Sequence, residues 1–266
     1  MNLGNLQPPL GAAEIITTTP DYEFGAEQGG SFDRRDWNAP ANIAACVDIA
    51  SCGTRLDTTD YPTTHGAFSN KTGGAIDLGG SGTMYGTGCL SGACHDPGDY
   101  SLKTDTSVPL TRWDNFIDQA IAKATWTGTG KDLEKKNTYT WGTAAAPEIT
   151  VINNSSTVSW NAKVNGAGVL IIESPGPTQN LVFSNSGELN WQGLVIIRSP
   201  GEVQFEIENS TGRVRVFGQV VNRAAAKAEI EIHGSDKNFI KYSSAALGLV
   251  RQLFFAFRSW QEVVTQ

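Results

Sequence analysis

The sequence predicts a mostly β protein whose body is a short β-solenoid, and three observations carry that expectation. "GVLIIESPG" and "GLVIIRSPG" begin at Gly168 and Gly193, and Gly218 in "FGQVVN" follows at the same 25-residue step. A constant step of that length suggests stacked units that cannot bury their apolar faces alone, with a hairpin meander or a sandwich as the alternatives. The runs VLII and LVII are strong β formers, and the chain's 29 glycines supply turn corners. Extended helical patterning is scarce.

Residues 1–60 read as an irregular segment packing on the body, with "AAEIITTT" and "GSFDRRDW" each offering a strand. Residues 61–266 read as the solenoid-like domain. Its glycine-rich opening holds two short extended pieces, Ala75–Leu78 and Thr83–Tyr85. Leu110, Trp113, Phe116, Ile117, Ala120, Ile121 and Ala124 recur at helical spacing and predict an amphipathic helix over 110–124. Thr111 and Asp114 form an N-cap-like pair at its start.

From Ala146 onward the pattern is almost entirely β. The expected strands are Glu148–Ile152, Thr157–Trp160, Gly168–Glu173, Asn180–Phe183, Glu188–Asn190, Gly193–Arg198, Val203–Ile207, Arg213–Val216, Gln219–Val221 and Glu229–His233. VLII and LVII are too continuous for strict in/out alternation, so the outer side of that strand is expected to lie under the 110–124 helix. "SSAALGLVRQLFFAF" supplies a candidate capping helix over 243–258, placed across an open coil end. Gly248 weakens it.

A chain of 266 residues suits one large β domain or two smaller units. Its net charge of −7, with only 20 Lys and Arg, argues against a nucleic-acid binder. No run of 18 apolar residues is present, and "MNLGNLQPPLGAA" lacks the charged and apolar regions of a signal peptide. Cys46 with Cys52 and Cys89 with Cys94 have spacings that suit short disulfide loops on an exported protein. Free thiols and zinc are the competing readings, the latter with His65 and His95 nearby, although the tight CxxC pairing of structural zinc sites is missing.

No catalytic constellation emerges. Walker and dinucleotide patterns fail, the serine elbow is absent, and His65, His95 and His233 leave few bases for a nucleophile. Glu206 with Glu208, and Glu229 with Glu231, share strand faces by the two-residue rule. Acid/base chemistry and a solvated face are the two readings, and alternation with Phe205 and Ile207 favours the second. Asp57 and Asp60 lack calcium-loop spacing. Trp160, Trp191 and Trp260 fit core packing better than a carbohydrate platform. The sequence therefore assigns no catalytic, cofactor-binding or metal-binding residue, and the expected protein is not an enzyme.

The carboxyl-terminal half resembles the large accessory, minor-pilin-like proteins of bacterial type IV pilus assembly. The resemblance lies in "GAGVLIIESPG", "LNWQGLVIIRSPG", "VFGQVVN" and "IKYSSAAL", with "SFDRRDW", "HGAFSNKTGGAIDLGGSGTMYG" and "RWDNFIDQA" upstream. It implies a structural role beside other pilus or secretion-fibre subunits, in the periplasm or at the cell surface, with a surface glycan as a further partner. It carries no catalytic residues. The family's amino-terminal membrane helix is absent from this sequence, so membrane attachment is expected only through such an anchor. The alternatives are an extracellular polysaccharide-binding or polysaccharide-degrading β-helical protein and a β-helical polymer-forming scaffold.

Overall fold

A computed structural model describes residues 12–27, 30–48, 50–56, 66–78, 82–85, 102–104, 106–154, 157–174, 176, 178–183, 187–207, 212–233 and 237–263. Its larger sheet has 12 strands. The main path runs β10 (Trp126–Thr129), β12 (Glu148–Asn153), β14 (Lys163–Glu173), β16 (Glu188–Ser199), β18 (Arg213–Ala224), β1 (Ala13–Ile16), β6 (Ala67–Ser69) and β9 (Leu102–Thr104). β11 (Thr138–Trp141) and β20 (Phe239–Lys241) pair with the amino-terminal halves of β14 and β18, and β3 (Ser31–Asp33) and β8 (Thr83–Tyr85) extend the sheet from β20. A second sheet of six strands runs β13 (Val158–Trp160), β15 (Thr178–Phe183), β17 (Glu202–Ile207), β19 (Ala228–Ile232), β2 (Tyr22–Ala26) and β7 (Ala75–Asp77). All pairings in these two sheets are parallel, and β4 (Trp37–Asn38) with β5 (Thr54–Arg55) forms a separate antiparallel pair.

Gly168, Gly193 and Gly218 stand directly opposite one another on β14, β16 and β18. The strands run unbroken through these glycines and are 11 or 12 residues long, where the sequence suggested one shorter piece in β14 and two in each of β16 and β18. Each glycine has a positive φ, +117°, +129° and +137°. That conformation bends the strand without ending its hydrogen-bonded ladder.

The expected fold needs correcting. A short repeating β-solenoid body with a glycine-rich amino-terminal part does not describe the molecule. One parallel sheet crosses the whole chain with helices interspersed, and its strand order departs from chain order where β1 follows β18. Likewise β2 pairs with β19, and β3 with β20. The physical reason is that the edge left by β18, β19 and β20 needs partners, and "AEII", "YEFGA" and "SFD" are short, buried and β-forming. No constant step marks them, because residues 37–56 loop away before β6, β7 and β8 resume the sheets. The resemblance to pilus accessory proteins falls with that architecture.

Two packed layers cover the sheets. The interior holds Trp160, Trp191, Leu170, Ile172, Val195, Ile197, Phe24 and Phe205, all essentially solvent-free. On the outer side of the larger sheet, Val169, Ile171, Leu194 and Ile196 are buried in a second cluster. Burial on both sides explains why VLII and LVII do not alternate. Trp113, Phe116 and Ile117 of α1 (Leu110–Ile121) supply part of that cover. Pro109, rather than Thr111, is the N-cap of α1 and makes no side-chain cap. Asp114 instead pairs with Arg223, accepting two hydrogen bonds of 3.0 Å, and Asp118 pairs with Arg198 at 2.6 Å.

A five-residue helix the sequence did not suggest, α2 (Gly130–Glu134), starts at a capping box between Thr129 and Asp132. The carboxyl-terminal helix α3 (Ser244–Val263) was expected to cap a coil end. It lies instead on the outer face of the larger sheet against β14, β16 and β18. Val250 and Phe254 enter the second cluster there, with the Phe254 ring 5.0 Å from that of Phe116. A broad apolar sheet face buries more surface than a coil end, and that decides where an apolar helix lies.

Cys46 and Cys52 form a disulfide. Cys89 and Cys94 lie outside the described residues. The bridge fastens a segment whose Trp37, Ile43 and Cys52 pack on Phe217 and Phe239. Closing a loop this short limits the entropy it removes from the unfolded chain. The Cys46→Ser, Cys52→Ser double variant is therefore expected to lose about 2 kcal/mol in urea unfolding. A loss near zero would show that the packing alone holds the segment.

Candidate functional site

Alternation in the smaller sheet sorts its residues by face. Val203, Phe205, Ala228, Ile230, Ile232, Tyr22, Phe24 and Ala26 are buried, and the residues between them face outward. Register then aligns Gln204, Glu229 and Glu23 in one row and Glu206, Glu231, Gly25 and Asp77 in the next. His233 follows β19. Its Nδ1 lies 3.2 Å from Glu27 Oε2 and its Nε2 3.2 Å from Glu231 Oε2. Among the described residues, α1 and α3 pack on the larger sheet, and α2 packs chiefly on β13, at the opposite edge of the smaller sheet from β2 and β7.

This face concentrates negative charge. Glu229 is only 5% exposed and is ion-paired with Lys227, whose pKa that hydrogen bond raises. Burial raises the pKa of Glu23, and the neighbouring Glu231, Glu229 and Asp77 raise it further. The ligand atoms of Glu206, Glu231 and His233 lie within 4.8 Å of one another, as do those of Glu23, Glu229 and Glu231. Either group has the donor types a divalent cation accepts.

The structure thus brings Glu206, Glu229, Glu231 and His233 together on adjacent strands. Glu208, Asp57, Asp60, His65 and His95 lie outside the described residues. Sequence reasoning missed Glu23 and Glu27. The signal was present in "YEFGAE", whose outward Glu-x-Gly-x-Glu matches the Glu-x-Glu-x-His of "EIEIH", but nothing local announced that the two strands pair. Trp160 and Trp191 are interior, with indole N–H groups donating to Ala162 O at 2.9 Å and Gly168 O at 3.3 Å. They present no aromatic platform.

A second feature lies on the outer face of the larger sheet. Asn165, Asn190 and Arg215 are in register on β14, β16 and β18. Asn165, Asn190 and Gln192 line a trough of about 610 Å³ bounded by residues 38–43 and 142–145. Arg215 is 1% exposed, and burial, then the nearby Arg213, push its pKa down.

Comparison with protein-family models, curated proteins and solved structures finds no match to this chain. The site must be read from its own chemistry.

Proposed function

We propose that the chain is a non-enzymatic structural component of an exported or cell-surface assembly, acting through protein–protein contacts. The supporting observation is the acidic outer face of the smaller sheet. Glu23, Glu27, Glu206, Glu229, Glu231 and Asp77 project from a rigid parallel ladder on which no described helix sits. A face with a strong excess of one sign of charge selects a partner by complementarity and speeds encounter with it. The partner's contact surface is therefore basic. The Cys46–Cys52 disulfide supports an oxidising compartment.

The test places a photo-crosslinking residue at Gln204, which faces outward between Glu206 and Glu229, in cells that make the protein. The expected adduct joins another protein through a Lys- or Arg-rich segment and disappears in Glu231→Lys, with folding checked by circular dichroism. The same probe at Lys163, exposed on the other sheet, is the control. Adducts that ignore Glu231→Lys, or no protein adduct beyond the control, would remove this reading.

A further inference from the structure

We propose that the trough over β14 and β16 binds an acidic sugar, a hydroxylated ring bearing one carboxylate of the uronate type. The trough is separate from the acidic face and carries the opposite chemistry. Its origin is visible in "KVNGAG", "ELNWQG" and "RVRVFG". Val164, Leu189 and Val214 point inward, so Asn165, Asn190 and Arg215 emerge together on the outer side.

Arg215 is the unusual member. It is 1% exposed beside the segment held by the disulfide, yet among the described residues no carboxylate is a hydrogen-bond partner. Its Nη1 donates to Ala44 O and Asn190 Oδ1, both at 3.2 Å, while Nε and Nη2 find no partner among the described residues. A buried guanidinium without a counter-ion is costly. Glu188 supplies attraction only from a distance.

That cation sets the direction of the amides beside it. A guanidinium only donates, so Asn190 must turn its Oδ1 toward Arg215. Asn190 Nδ2 then donates to Asn165 Oδ1 at 3.0 Å. Asn165 Nδ2 ends the series at the trough and makes no further hydrogen bond among the described residues. The result is a chain of aligned dipoles, positive end outward, in which each bond polarises the next. Gln192 adds another amide to the floor, and Thr140 and Thr143 add hydroxyls to the wall. Among the described residues, no acidic side chain lines the trough, although the chain as a whole carries a net charge of −7.

An aligned donor row backed by a buried cation suits a carboxylate. Neighbouring amides and hydroxyls, which both donate and accept, suit ring hydroxyls. The volume falls in the range that small ligands occupy, roughly 300–1,000 Å³. The two requirements meet in a uronate.

Titration calorimetry with glucuronate, galacturonate, glucose and polygalacturonate tests the proposal. Glucuronate is expected to bind at least about ten-fold tighter than glucose, since only it carries the charge. Polygalacturonate binding tighter than galacturonate, its own monomer, would identify a polysaccharide as the source, and equal affinity a free sugar acid. Asn190→Asp gives Arg215 a carboxylate and places negative charge under the trough. It is expected to raise Tm and abolish glucuronate binding. Gln192→Ala leaves Arg215 untouched and is expected to weaken binding about ten-fold, which keeps the test open should Asn190→Asp misfold. No glucuronate binding at millimolar concentration, equal affinity for glucose, or unchanged binding in a folded Asn190→Asp would each overturn the proposal.

Discussion

Gly193→Ala is expected to cost about 4 kcal/mol or more in urea unfolding. Two penalties combine at this position. A φ of +129° disfavours any residue with a Cβ. The added methyl would also sit 2.1 Å from Gly168 O, a backbone atom fixed in the ladder. Neither party can give way alone, because a Cβ at Gly168 would lie 2.1 Å from Glu148 O, and one at Gly218 would lie 1.9 Å from Gly193 O in the same sense. The three glycines form one column in which each Cβ would meet the preceding carbonyl. Gly248→Ala provides the control. It lies in α3 with nothing within 4 Å of a Cβ, and it is expected to stabilise by about 0.5–1 kcal/mol. A loss below about 1 kcal/mol for Gly193→Ala would mean that the strands can straighten at the column.

The glycine column shows what the sequence makes legible. The 25-residue step located three positions that do stand side by side, because register and turn geometry both act through local letters. The apolar face of α1 was legible for the same reason. What failed was everything set by distant pairing. "AEII" and "YEFGA" carry no mark that they follow β18 and β19, so the sequence predicts a short solenoid body where a chain-wide sheet forms. α3 was given a coil end because its greasy face names no partner, and only the assembled sheet offers the larger apolar surface. The candidate sites divide similarly. The acids on β17 and β19 were visible as alternation, while Glu23 and Glu27 joined them through a pairing some 200 residues away in sequence. Arg215 gave no signal at all, since its burial depends on a loop from the other end of the chain.

Lys241→Met is expected to stabilise the protein at pH 7 and to destabilise it near pH 10.5. Lys241 is fully buried beneath the disulfide segment, with its Nζ donating to Cys52 O at 2.7 Å and lying 3.5 Å from the centre of the Trp37 ring. Burial pushes its pKa from 10.5 down to about 8, against the pull of Asp33 and Asp48 and with the push of Arg35. The folded chain therefore releases this proton more readily than the unfolded chain. Between about pH 8 and 10.5 the unfolded state holds more protons, so stability rises with pH through that window. Below pH 8 the folded protein carries the full cost of the buried charge, about 3 kcal/mol. Methionine removes that cost together with a hydrogen bond worth about 1 kcal/mol. The net gain at pH 7 is thus about 2 kcal/mol, and by pH 10.5 only the loss of about 1 kcal/mol remains. Urea unfolding of both proteins from pH 7 to 10.5 reads the difference directly, and groups common to both cancel. Curves that stay parallel across that range would mean that Lys241 keeps an ordinary pKa, with water reaching it beneath the disulfide segment.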